Sequence, residues 1–330
     1  MKSLKKFLGI HIFILCVSSF LICACKNQSS SLNSTNANKI KGNISISGAF
    51  ALYPLTVKWS EEFKKEYPEV NFDISAGGAG KGMTDVLSNM VDLAMFSREV
   101  SLEEEEKGAW WVAVTKDAVL PTINASNPLF DSIMMKGLSR QEFIDVFITG
   151  KITLWNSLAG TLNEEKIHLY TRSDACGAAA MWAQYLGKSQ EDLLGTGVFG
   201  DPGIADAVKN DKYGLGFNNV IYVYDINTRM KFPGLEVIPI DLNSNGRIDK
   251  DENFYNKLDF VMQAIKDDVY PSPPARDLYL VSKGKPEDET VLLFLSWILE
   301  KGQLFVEEAG YVLLPENIRI AEKQKLELQQ

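Results

Sequence analysis

The strongest constraint on the fold is a punctuated alternation. Short aliphatic runs are each closed by a turn, and the turn opens a segment whose apolar residues recur at helical spacing. Ile44-Ser45-Ile46-Ser47-Gly48 reads as a strand, and residues 53–63 then carry apolar side chains at helical spacing with Pro54 in the first turn. Residues 70–74 form a second strand, and Ala76-Gly77-Gly78-Ala79-Gly80-Lys81-Gly82 leads into a helix from about 83 to 90. Residues 91–96 form a third strand, closed by Ser97-Arg98. Further along, 110–114, 118–123, 167–170 and 278–281 read as strands. Residues 139–147, 178–186, 290–300 and 303–309 read as helices. Strand, turn and helix in repetition predict βαβ units, and hence an α/β fold with mainly parallel sheets.

Ahead of this pattern lies a different kind of segment. Lys2, Lys5 and Lys6 precede an uncharged apolar run over 7–24, the layout of a secretory signal. Leu21-Ile22-Cys23-Ala24-Cys25 resembles a bacterial lipobox, which makes Cys25 the expected lipidated N-terminus and 25–40 a Ser- and Asn-rich tether. An uncleaved membrane anchor is the alternative, and the short apolar core speaks against it. Removing 1–24 takes away three lysines and no acid, so the formal charge goes from −9 to −12. Of the 4 cysteines, Cys16 and Cys23 leave with the signal and Cys25 is the expected anchor, so only Cys176 lies inside the mature domain, which excludes an internal disulfide there, and His168 is left as the sole imidazole. Histidine-based zinc chemistry is excluded by the same count.

A chain with 34 Lys plus Arg against 43 Asp plus Glu lacks the electrostatic drive to hold a polyphosphate backbone, so nucleic acid is not an expected partner. A small anion is different, because helix N-termini and a few arginines can make a local positive site within an acidic protein.

Several segments occur together in one order: Gly48-Ala49-Phe50-Ala51-Leu52-Tyr53-Pro54-Leu55, the 77–82 glycine turn, Val91-Asp92-Leu93-Ala94 with Ser97-Arg98, residues 148–155, Arg172-Ser173-Asp174, and the C-terminal Tyr270-Pro271, 278–281 and 309–312. In this order they resemble the PstS-like phosphate-binding proteins of ABC importers. The resemblance implies a two-lobed periplasmic-binding-protein fold with two crossover strands, near 120–123 and 270–277. Lobe I is then 41–122 plus 275–330, and lobe II is 123–274. It also implies an extracytoplasmic monomer that holds a small anion, phosphate foremost, between its lobes and delivers it to ABC permease subunits.

The expected anion site draws on three helix-opening turns and the cations beside them. These are Ala51, Leu52 and Tyr53; Gly80 and Lys81; Ser97 and Arg98; and Arg172, Cys176, Gly177 and Ala178. Backbone N–H groups at helix starts suit an oxyanion, and small side chains let it approach. The pattern departs from the family where Ala49, Ala51, Ala79, Cys176 and Ala178 stand in place of hydroxyl donors, and where Ser97-Arg98 stands in place of an acceptor aspartate. Each lost hydrogen bond is worth ~1 kcal/mol, so a carboxylate or an organic phosphate, or a sensor or surface role, stays open beside phosphate transport. Arg98 as a rim residue paired with Glu99 or Glu103, the commoner situation for an isolated Arg, is the bland alternative.

A second motif is sharper. Asp241, Asn243, Asn245, Arg247 through its carbonyl, Asp249 and Glu252 fall at the ligand positions of a twelve-residue EF-hand loop, with Gly246 at its turn. A strand precedes the loop, so a single structural Ca²⁺ site is expected, not a paired sensor; a solvated Asn/Gly turn is the alternative. An enzyme reading rests only on Cys176 at a helix start with His168 as its base, and no third group supports it. The expectation is a binding protein, not an enzyme.

Overall fold

The structure, a computed structural model, describes residues 40–160 and 164–327. The signal segment, Cys25 and the tether lie outside the described residues.

The expected alternation is present. β1 (Gly42–Gly48), α1 (Tyr53–Glu66), β2 (Val70–Ala76), α2 (Ala79–Leu87) and β3 (Leu93–Phe96) follow in order, then the short α3 (Leu102–Glu106) and β4 (Ala109–Asn124). β1 pairs in parallel with both β2 and β3. α2 starts four residues earlier than its apolar spacing suggests, because Ala79, Gly80 and Lys81 already follow the helical path. The two strands expected at 110–114 and 118–123 are one strand of 16 residues. The polar residues that look like a break are satisfied from afar: the Thr115 hydroxyl donates to the Val312 carbonyl at 2.8 Å, and Asp117 faces Arg276.

The middle of the chain runs α4 (Phe130–Lys136), β5 (Leu138–Ser139), α5 (Arg140–Phe147), α6 (Trp155–Ala159), β6 (His168–Arg172), α7 (Gly177–Tyr185), β7 (Thr196–Val198), α8 (Gly200–Asn210) and β8 (Gly214–Asn219). Ser139 caps α5 as its sequence implies: it accepts from the Glu142 N–H, while the Glu142 carboxylate accepts from the Ser139 N–H. After β9 (Leu235–Val237), β10 (Ile240–Asp241) and α9 (Leu258–Lys266) come β11 (Ala275–Lys283), α10 (Glu289–Leu299) and α11 (Glu316–Glu327). The helix expected at 303–309 is instead a tight 3₁₀ turn, Lys301–Phe305, and α11 has no counterpart in the sequence reading.

Among the described residues nine strands form one curled sheet in the order β2-β1-β3-β11-β4-β8-β6-β7, with β9 also on β4. Its flanks are parallel, β2-β1-β3 at one end and β8-β6-β7 at the other. The centre is antiparallel: residues 109–118 of β4 pair with β11, and residues 119–123 pair with β8. β4 therefore changes partner between Ala118 and Val119, just before 120–123, and β11, which begins at Ala275 within the expected 270–277, pairs with β3 and with residues 109–118 of β4. Apolar packing covers both flanks. Phe63 of α1 meets Phe294 and Trp297 of α10 edge to face at one end, and Trp182 of α7 meets Phe143 and Phe147 of α5 at the other. No helix among the described residues is long and apolar enough to cross a membrane.

Candidate functional site

Two of the three predicted turns come together. α2 starts after Gly78 and α7 after Cys176, and the Gly80 N–H donates to the Ala175 carbonyl at 3.0 Å. The Ser97–Arg98 turn closes the third side. Gly177 rests so closely on it that a Cβ there would lie 2.1 Å from the Ser97 carbonyl oxygen and 2.3 Å from Ser97 Oγ. Only a residue without a side chain permits that contact. Ser97 is buried beneath it, and Ala178 is buried within the first turn of α7.

A cavity of about 410 Å³ opens at this junction, lined by Gly80, Arg98 and Cys176 from the predicted set and by Ala175, Gln184 and Lys188 beyond it. Sequence reasoning missed Lys188 and Gln190, which reach the site because the chain reverses after α7. The Cys176 N–H donates to Gln190 Oε1 at 3.2 Å, and Gln190 Nε2 donates to the Asp174 carbonyl at 2.7 Å. The only local signal is Leu186-Gly187-Lys188, which ends the helix with Gly187 at φ 78. The third turn does not line this cavity. Ala51 and Leu52 are buried at the start of α1 beside Tyr53, with the Ala51 carbonyl accepting from the Tyr311 hydroxyl at 2.8 Å.

The predicted cations are all partnered. Arg98 donates to both Glu104 carboxylate oxygens, at 2.7 and 2.9 Å, and lies over the Phe96 ring; it is paired as the rim alternative expects, but the partner is Glu104 and not Glu99 or Glu103. Burial opposes ionisation of Glu104, but Arg98 and the Ser101 N–H hold its pKa below the ordinary value. Lys81 pairs with Asp85 one turn along α2. The Arg172 side chain is 1% exposed and takes two carboxylates: Nε and NH2 donate to Asp174 at 2.8 and 2.6 Å, and NH1 donates to Asp201 at 2.5 Å. Burial pulls against its charge, yet Asp201 foremost and Asp174 keep the guanidinium firmly ionised. Arg172 thus ties β6 to the start of α8 and does not line the cavity. The N–H groups of Gly80, Cys176 and Ala179 already have acceptors, so what the junction offers an anion is the remaining N–H groups of the two helix starts, with Lys188 and Glu191 both at the rim.

Cys176 caps α7, its Sγ accepting from the Ala179 N–H at 3.4 Å. Burial pushes its thiol up to about 12, with Arg172 drawing it down and Asp174 and Asp201 pushing it up. The thiol stays protonated at neutral pH, which opposes a nucleophilic role. His168, its proposed base, instead pairs with Asp211 at 2.6 Å on the edge of β6.

The EF-hand-like loop is anchored at both ends. Asp241 and Glu252 are each 3% exposed, and Asp241 sits in β10 beside Ser139 of β5. The Ile248 N–H donates to the Met135 carbonyl at 3.0 Å, fastening the loop's far side to α4. Gly246 turns the chain at φ 83, where a side chain would be strained. The donor set is all oxygen, as Ca²⁺ requires. The carboxylates, however, serve the loop itself: Asp241 accepts from the Asn245 and Gly246 N–H groups, and Glu252 from those of Leu242, Asn243 and Asp249. Among the described residues no three acidic, His or Cys side chains are gathered around one point as a metal would gather them. The residue types fit the ion, and ligation requires Glu252 to give up N–H partners.

These features are those of a periplasmic-type binding protein, and comparison agrees. The family model described as a PBP superfamily domain matches residues 33–301, and the chain belongs to that superfamily. Its sequence is PstS-like. It is 27% identical to the phosphate-binding protein PstS of Methanocaldococcus jannaschii, across 96% of this chain and 93% of that protein. It is 26% identical to that of Pseudomonas aeruginosa, across 88% of each. With PstS of Bacillus subtilis it shares 31% identity across 53% of this chain and 58% of that protein's length. The fold matches an ABC transporter substrate-binding protein from Clostridium perfringens with bound phosphate, at a TM-score of 0.68 and 22% identity, covering 83% of this chain and 100% of that one. An ABC-type phosphate transport receptor from Vibrio cholerae matches at 0.60 and 18% identity, covering 82% and 100%. These relatives are binding proteins, not enzymes.

Proposed function

We propose that this chain is the extracytoplasmic, lipid-anchored solute-binding protein of an ABC importer, taking phosphate or a related small oxyanion between lobes 41–122 plus 275–330 and 123–274. The observation that carries this is the meeting of the α2 and α7 N-termini against the Ser97–Arg98 turn, in a chain whose relatives are phosphate-binding proteins. An oxyanion leaving water needs its oxygens paired, and helix-start N–H groups with a favourable dipole supply donors that side-chain hydroxyls supply elsewhere. Arg98, Lys81 and Arg172 are each neutralised by their own carboxylates, so backbone donors are assigned the main share of binding. Cys25 is the proposed anchor, and permease subunits are the proposed partners of a monomer. The oxygen donors from Asp241 to Glu252 are proposed to take one structural Ca²⁺.

Titration calorimetry of the ligand-free protein against phosphate, sulfate and organic phosphates tests the first part. Heat with phosphate or an organic phosphate supports it, and silence across the panel defeats it.

A further inference from the structure

The parallel flanks of the sheet also touch through Phe50. This residue lies in the turn between β1 and α1 and is half-buried. From the end of β1 it reaches the ends of three strands on the opposite flank. Its ring meets Phe199, just past β7, edge to face at 5.8 Å, and the Arg172 guanidinium at the end of β6 lies 5.6 Å from its centre. Gly200, at φ 73, lets the ring settle, since a Cβ there would stand 3.0 Å from Phe50 Cζ. The Phe50 carbonyl accepts from the Tyr222 hydroxyl, beyond β8, at 3.0 Å.

These contacts are of a kind that can part and re-form. Phe199 is 60% exposed, so one side of the aromatic pair already faces water. The Tyr222 hydroxyl and the Phe50 carbonyl can each take water in place of the other. The Arg172 charge stays matched by Asp174 and Asp201, both on its own flank, whether or not the ring covers it. In the sheet the flanks are joined through β11 and β4, and β4 changes partner there, which is where a swing of one flank against the other is absorbed. At the junction itself the flanks meet through the Gly80 N–H on the Ala175 carbonyl and through Gly177 against Ser97. Glycines and backbone groups offer little apolar surface, so the Phe50 ring supplies side-chain attraction that they lack.

We propose that Phe50 is an interflank latch: its ring, seated against Phe199, Gly200 and Arg172, holds the two parallel flanks closed over the junction and lets go when the junction opens. The latch needs no ligand, so it stands or falls apart from the oxyanion reading.

The Gly80 N–H, bonded across the flanks to Ala175, reports opening, and the Gly82 N–H, bonded to the Gly78 carbonyl at the start of α2, is the internal reference. The test is amide exchange read by NMR on the full chain, native and with Phe50→Ala or Phe199→Ala. An edge-to-face pair is worth about two- to tenfold in an equilibrium, and a cation over the ring adds roughly two- to fivefold. Gly80 exchange should therefore quicken at least about twofold in Phe199→Ala and at least about fivefold in Phe50→Ala, with Gly82 unchanged. Phe199 is exposed, so its variant keeps the fold and decides the matter where Phe50→Ala does not fold. Native exchange at Gly80 in either folded variant, or equal rises at Gly80 and Gly82, overturns the latch.

Discussion

Replacing Gly177 by Ala is the most direct probe of the junction. The added Cβ would sit 2.1 Å from the Ser97 carbonyl oxygen and 2.5 Å from its carbon, both backbone atoms that no rotamer change can move. Ordinary carbon contacts need roughly 3.5 Å, so the start of α7 must retreat by about 1 Å from the Ser97–Arg98 turn. Overpacking of this kind costs about 1–3 kcal/mol of stability. The same retreat pulls the first N–H groups of α7 away from an anion held between α2 and α7. Loss of one or two hydrogen bonds to a charged acceptor, at about 1.5–3 kcal/mol each, raises Kd by at least roughly tenfold. Thermal unfolding and phosphate calorimetry on the same preparation read both effects. A variant with native melting and native affinity refutes the packing argument, and one that is destabilised yet binds normally refutes the placement of the anion at this turn.

Arg172→Met leaves Asp174 and Asp201 buried without their cation, and denaturant unfolding should show a loss of about 3–5 kcal/mol. Ca²⁺ should raise the melting midpoint and Glu252→Gln should remove the effect; equal midpoints in Ca²⁺ and in chelator would exclude the site. Iodoacetamide at neutral pH should leave Cys176 unmodified in the folded protein and label it after unfolding, as read by peptide mass spectrometry, because burial holds the thiol up near about 12. Burial likewise raises the Asp117 carboxyl to about 7, with Arg276 drawing it down and Asp201 pushing it up. A folded value above the unfolded one means that this group favours the fold at low pH, and that the contribution is lost as pH rises from about 4 through 7. The stability difference between the native chain and Asp117→Asn should therefore change across that window, and a flat difference would count against the buried, proton-holding state.

Much of the architecture was legible because its signals are local. Glycine turns, the Ser139 cap with Glu142 three residues on, and Pro54 in the first turn of α1 act within a few residues, so α1, α5, α7 and the parallel flanks appear where the sequence places them. The break expected within β4 is absent for a long-range reason: Thr115, Lys116 and Asp117 are polar, and their partners, Val312 and Arg276, lie far along the chain. The candidate site was legible in its turns and illegible in its charges. Arg172 reads from sequence as an available cation, whereas Asp201, 29 residues away, and Asp174 neutralise it, and the partner of Arg98 is Glu104 and not the expected Glu99 or Glu103.

The sequence by itself determined the α/β alternation, the helix-opening turns and the spacing of oxygen donors from Asp241 to Glu252, since each depends on neighbours fixed by covalent connection. Only the tertiary structure decided which turns meet, which cations remain available and where Lys188, Gln190 and Arg276 stand. Long-range pairing is set by how strands share one sheet, and a charge is spent or left open according to the partner that packing brings within about 3 Å.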